Sequence, residues 1–225
     1  MNISANLEVI KENIKKAAAR SGRDHHAIRV VAVTKYVEID AMNQVIRAGI
    51  TDIGENRIQD ALRKLPFLQA PVTRHLIGTL QTNKVKDAVG EFDLIHSVDR
   101  PELVAEIARQ TVRKNCRAEI LIQVNISGET SKHGIPPDSL DSLLTLINQY
   151  ETLKPTGLMT MAPLNATAEE ARLIFRRLKC LLDAAACKFH YDAAWHYLSM
   201  GMSQDYEAAV EEGANLLRIG TAIFQ

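Results

Sequence analysis

Two stretches late in the chain carry residues suited to holding a phosphate. They are Ser199-Met200-Gly201-Met202-Ser203-Gln204-Asp205 and Arg218-Ile219-Gly220-Thr221, each following an apolar run and leading into a helical pattern. Small residues there expose backbone N–H groups, and hydroxyls add O–H donors, which is what an anion needs. Ser203 can serve such an anion and also cap the helix that follows. Far away in sequence, Lys35 ends the run Val30-Val31-Ala32-Val33-Thr34. It reads in two ways. Either burial disfavours its ammonium form and makes a nucleophilic amine, or the side chain reaches the rim and keeps its charge in water. Asn56, in Gly54-Glu55-Asn56-Arg57, offers an amide or an ordinary helix cap. His75 lies inside an apolar run and reads as a hydrogen-bonded core residue. An amine and a phosphate site, once brought together, could hold a phosphorylated aldehyde.

The elements that must position these groups alternate between two periods. Asn2 to Arg20 has Leu7, Ile10, Ile14 and Ala17 at helical spacing and stops at Ser21-Gly22. Strand candidates follow at Arg29–Thr34, Thr51–Gly54, Arg74–Ile77, Asp93–His96, Glu119–Asn125, Pro155–Met159, Ala194–Leu198 and Leu216–Ile219. Helical patterns fill the gaps at Ile39–Ala48, Glu55–Leu65, Arg100–Lys114, Asp138–Tyr150, Ala166–Ala186 and Gln204–Glu212. Strand-then-helix alternation implies parallel strands joined by crossovers. Eight such strands predict an α/β fold, a single (β/α)8 TIM barrel spanning residues 1–225 with an extra N-terminal helix. An open doubly wound sheet is the alternative, but no GxGxxG follows the first strand.

Composition narrows the function further. The 225 residues carry 27 Lys+Arg and 27 Asp+Glu, a net charge of zero, which disfavours a nucleic-acid partner that depends on bulk positive charge. No apolar stretch is long enough for a membrane span. No secretory signal is visible at Met1–Arg20, and Cys116, Cys180 and Cys187 form no CxxC pair, so a cytoplasmic location is expected. Cys180 and Cys187 are expected to share a buried helix face.

In a closed barrel the eighth strand lies beside the first, which brings the phosphate loops to Lys35. A reactive amine beside a phosphate pocket is the pattern for pyridoxal 5′-phosphate (PLP) held as a Schiff base, with Arg218 pointing toward the ring. The polar loop Ser127–Gly134 is expected to be a solvated connection, a lid or a docking surface.

Several motifs together resemble the pyridoxal-phosphate homeostasis protein family. They include Val31-Ala32-Val33-Thr34-Lys35, Gly54-Glu55-Asn56, His75-Leu76-Ile77-Gly78 and Ser131-Lys132-His133-Gly134. Leu198-Ser199-Met200-Gly201-Met202-Ser203 and Arg218-Ile219-Gly220-Thr221-Ala222-Ile223-Phe224 complete the match. The resemblance implies a barrel similar to the N-terminal domain of alanine racemase, with PLP on Lys35. It implies phosphate contacts from Ser199, Ser203, Gly220 and Thr221, Asn56 near the ring, and Arg218 facing the pyridine nitrogen. Lys132 matches a lysine proposed as a secondary cofactor contact. The function implied is a PLP carrier or regulator without established turnover, serving PLP-dependent apoenzymes and acting on vitamin B6 and amino-acid metabolism. A PLP-dependent racemase-like enzyme is the alternative. It would need a second acid/base from an additional domain, for which no residues are expected to remain, and without the contact such a domain makes the chain is expected to be a monomer.

Overall fold

The computed structural model describes residues 2–129 and 132–225. Helix α1 (Ile3–Arg20) starts where the Asn2 side chain accepts the Ala5 N–H at 3.1 Å, buries Leu7, Ile10 and Ile14, and ends at Gly22, whose φ of +67° is left-handed. Strand β1 (Arg29–Val33) opens the barrel. Then follow α2 (Ile39–Arg47), β2 (Asp52–Glu55), α3 (Ile58–Lys64), β3 (Thr73–Leu76), α4 (Val85–Ala88), β4 (Leu94–Val98), α5 (Pro101–Lys114) and β5 (Ala118–Gln123). The second half runs through α6 (Leu140–Ile147), β6 (Leu153–Met159), α7 (Ala168–Phe189), β7 (Tyr197–Ser199), α8 (Tyr206–Glu211), β8 (Leu216–Ile219) and α9 (Thr221–Phe224). Every strand pair is parallel, and β8 closes on β1, so the expected eight-stranded barrel is what the chain forms.

The differences from the sequence reading have local causes. Strand β1 stops before Thr34 because the Thr34 hydroxyl turns to donate to Glu55 Oε1 at 2.6 Å. Glu55 belongs to β2 rather than to the next helix, which begins at Ile58. Strand β5 ends at Gln123, and the Asn125 amide folds the loop instead, its Oδ1 accepting from Gly128 N–H at 3.1 Å. Ala194 to His196 lie outside the strand, which begins at Tyr197, because Trp195 is buried and its Nε1 donates to Leu182 O at 3.0 Å. Helix α7 gains a capping box at Thr167 and Glu170.

Alternation along the strands divides the core. Residues such as Ala32, Ile53, Leu76 and Ile95 face outward and pack under the helices. Val31, Leu94, Leu121, Met159 and Leu216 form a separate apolar cluster inside the barrel. Cys180 and Cys187 correct the expectation of a shared buried face: both are exposed, because α7 buries Ala171, Phe175, Leu178, Leu182 and Ala185 instead. Among the described residues no helix is long and apolar enough to cross a membrane.

Candidate functional site

A cavity of about 640 Å³ opens at the C-terminal ends of the strands, within the range of small-molecule sites. Lys35, Asn56, Ser203, Arg218, Gly220 and Thr221 all line it. The barrel therefore brings together six of the seven site residues expected from sequence.

Lys35 is exposed, two residues beyond β1, with its Nζ 5.1 Å from the centre of the Tyr36 ring. The reading of a desolvated amine is thus corrected in favour of a rim lysine. The turn that launches it is firmly held. Lys64 Nζ donates to Thr34 O at 2.8 Å and to Glu55 Oε1 at 2.5 Å, and Glu55 is only 1% exposed. This buried ion pair fixes Thr34 and hence the start of Lys35. Sequence reasoning passed over Glu55 and Lys64, although a glutamate closing the run Thr51-Asp52-Ile53-Gly54 was a signal.

Asn56 is half-buried at the tip of β2, and its amide makes no hydrogen bond to the protein among the described residues. Gly78, in the loop after β3, presses against it: a Cβ there would lie 2.2 Å from Asn56 O. The missing side chain permits this contact.

The phosphate loops meet across β7 and β8. Ser203 Oγ accepts the Ala222 N–H at 3.2 Å, which ties the β7–α8 loop to α9. Ser203 therefore does not cap α8; Asp205 occupies that position. Gly220 approaches β1 closely, where a Cβ would meet Val33 at 3.3 Å. The N–H groups of Ser203, Gln204, Gly220 and Thr221 donate to no protein acceptor among the described residues. Four free donors at one end of a cavity form a cradle for an anion. Asp205 stands beside them, its Oδ1 accepting from Met202 N–H, and burial pushes its carboxyl above the ordinary range.

Arg218 forms the floor. It is 4% exposed, donating from Nη1 to Ser199 Oγ at 2.6 Å and from Nη2 to Thr160 O at 2.8 Å. Burial pushes the guanidinium down to about 10, so it stays cationic at neutral pH. Its remaining donors are available to a ligand. Ser199 is the exception among the expected contacts. It is fully buried beneath Arg218, does not line the cavity, and pairs with His96 Nδ1 at 2.8 Å. His75 is the hydrogen-bonded core residue expected, 2.8 Å from Asp52 and 2.9 Å from His96.

The Ser127–Gly134 loop falls partly on Thr130 and Ser131, which lie outside the described residues. Lys132, just after them, pairs with Glu129 at 3.2 Å and donates to Met161 O at 3.4 Å. It does not line the cavity.

Comparison with known proteins bears on the family and the fold. Residues 5–225 match the family model for the alanine racemase N-terminal domain. A pyridoxal phosphate homeostasis protein from Aquifex aeolicus is 38% identical over 225 residues, covering 100% of this chain and 98% of its own. A crystal structure from Bifidobacterium adolescentis superposes with a TM-score of 0.93 at 31% identity, covering 99% of this chain and 94% of that one. PipY of Synechococcus elongatus PCC7942, solved with PLP bound, superposes with a TM-score of 0.85 at 31% identity over 100% of both chains.

Proposed function

The chain belongs to the pyridoxal phosphate homeostasis protein family, and from that premise we propose that it is a PLP-binding carrier, buffering and delivering the cofactor without turnover. The observation that carries the reading is the pairing, across one cavity, of four free N–H donors with a buried arginine and an exposed lysine. Each suits a different part of the cofactor. The cradle at Ser203, Gln204, Gly220 and Thr221 suits the phosphate. Lys35 supplies the amine that condenses with the aldehyde, releasing water. Arg218 offers N–H donors to the pyridine nitrogen, and Asn56 has a free amide beside the ring. Ser199 acts from below, by holding Arg218.

When bound, PLP supplies an electrophilic carbon and a ring that can withdraw electrons. The residues here restrain that ability. A cationic arginine against the pyridine nitrogen disfavours a proton there, and an unprotonated ring is the weaker electron sink. Lys35 and Tyr36 stand exposed at the mouth, Tyr36 by 89%, so water reaches the amine. A racemase excludes water from its reacting centre; an open mouth suits exchange of cofactor with apoenzymes. All three cysteines are free, in keeping with a cytoplasmic protein, and we read the barrel as one domain acting as a monomer.

The test is direct. Protein mixed with PLP is expected to show a visible absorbance band, and borohydride followed by peptide mapping to place the label on Lys35. Lys35→Ala is expected to lose both. A label on a different lysine overturns the site, and α-proton exchange of an amino acid in deuterated water overturns the carrier reading.

A further inference from the structure

The barrel interior holds a run of polar side chains of which the proposed function uses only Ser199. Below Arg218, Ser199 Oγ lies 2.8 Å from His96 Nδ1, and His96 Nε2 lies 2.9 Å from His75 Nδ1. His75 Nε2 lies 2.8 Å from Asp52 Oδ1, and Asp52 pairs with Arg29 near the opposite mouth of the barrel. The two imidazoles meet edge-on, at an interplanar angle of 75°, so a ring N–H of one points at the lone pair of the other. Ser199, His96, His75 and Asp52 are all buried. Apolar layers fill most barrels of this type, so a polar file through the centre calls for a reason.

The protons in this file can be arranged in one way that leaves nothing unpaired. Arg218 can only donate, so Ser199 Oγ accepts from it. The Ser199 hydroxyl has one other partner, His96 Nδ1, and must donate its proton there; were His96 to donate instead, a fully buried hydroxyl proton would have no acceptor. His96 is then protonated at Nε2 and donates to His75 Nδ1. His75 in turn is protonated at Nε2 and donates to Asp52. Both rings are neutral, and every bond points from Arg218 toward Asp52. For His96 this agrees with burial and the neighbouring His75 and Arg218, which hold its basicity well below the ordinary range.

We infer that Ser199, His96, His75 and Asp52 form a one-way hydrogen-bond relay whose role is to position Arg218 at the cavity floor. The inference rests on the proposed function in one respect, that Arg218 faces the ring nitrogen of PLP. With Nη1 committed to the relay and Nη2 to Thr160 O, the guanidinium cannot rotate away from the ring. The four residues are positioning residues, since none of them lines the cavity.

The wild-type protein without cofactor supplies the first test. Nitrogen NMR of the histidine side chains at neutral pH is expected to show His75 and His96 both neutral with the proton on Nε2. A cationic ring, or an Nδ1–H form at either residue, overturns the relay, and this measurement needs no variant to fold. The second test is Ser199→Ala, which frees Arg218 while Asp52 still sets both rings. It is expected to move the visible band of bound PLP and weaken its binding about tenfold or more, the loss of one hydrogen bond to a charged group. Binding of inorganic phosphate is expected to stay unchanged, and Ser199→Thr to restore the wild-type band. An unmoved band, or an equal loss of phosphate binding, overturns positioning of Arg218. Failure of the wild type to take up PLP sinks the proposed function instead, and the histidine spectrum alone then decides the relay.

Discussion

Strand position leaves Lys35 open between a buried amine and a rim lysine and says nothing of how deep Arg218 lies; the structure decides both. The lysine leaves an apolar strand yet is exposed, whereas the arginine near the chain's end is 4% exposed. Residue types and order in the chain pointed to both. Burial depends on which side of the barrel wall each faces and on how far the strand extends, and one Thr34–Glu55 hydrogen bond shortens β1 enough to put Lys35 on the rim. Asp205 was legible only as a helix start, because its interest comes from what surrounds it. Burial raises its carboxyl pKa above the ordinary value of about 4, with the Met202 N–H and Arg218 opposing that shift. A raised folded-state pKa contributes stability that is present below about pH 4 and lost as pH climbs through the raised value. At pH 7 the ionised group is therefore a net cost. Asp205→Asn keeps an acceptor for the Met202 N–H without the charge. Urea unfolding at pH 7 is expected to find the variant at least as stable as the wild type, with the difference between them shrinking toward pH 4. A variant less stable at pH 7 contradicts the sign.

At the scale of elements, all eight strands were legible, because buried parallel strands read as short apolar runs between amphipathic helices. Their ends were less so. Ala194–Leu198 has the composition of a strand, but Trp195 is drawn off to Leu182 O on α7, a contact made 13 residues away that no local pattern records. The short α4 and α9 could be given no bounds, because four residues carry no period. What decides the site at this scale is how closely loops approach. The Gly78 backbone lies against Asn56, and the obstacle to a side chain there is steric: a Cβ would sit 2.2 Å from Asn56 O and 2.8 Å from its carbonyl carbon. Backbone cannot yield as a flexible side chain can. Gly78→Ala is expected to cost about 1–3 kcal/mol in denaturant unfolding, typical of overpacking, and to reduce PLP uptake by pushing the tip of β2 aside. An unchanged absorbance titration would show that Asn56 is not held by this contact.

The whole molecule joins its two ends at the site. Helix α1 reads from sequence as an addition to the barrel, and its apolar stripe says only that it packs somewhere. In the structure it packs on α8 and α9, the two helices that carry the cradle loops. Asn13 Nδ2 donates to Tyr206 OH at 2.9 Å, and Arg20 pairs with Glu207 and Glu211 on α8. Asn6 Nδ2 donates to Ile223 O at 3.0 Å and Gln225 O at 2.9 Å, satisfying carbonyls at the end of α9 that lack helical partners. Helix α9 has a single turn and little intrinsic stability, so its position depends on such contacts. Gly220 and Thr221 at its start supply two of the four cradle donors. Asn6 lies outside the cavity, yet Asn6→Ala removes both bonds. It is expected to cost about 1–2 kcal/mol in urea unfolding and to weaken binding of inorganic phosphate and PLP alike, while Lys35 still takes the borohydride label at saturating PLP. Parallel losses for the two ligands would place the effect in the cradle. Undiminished phosphate binding would mean that the Ser203 loop holds the anion without α9, and that α1 serves stability alone.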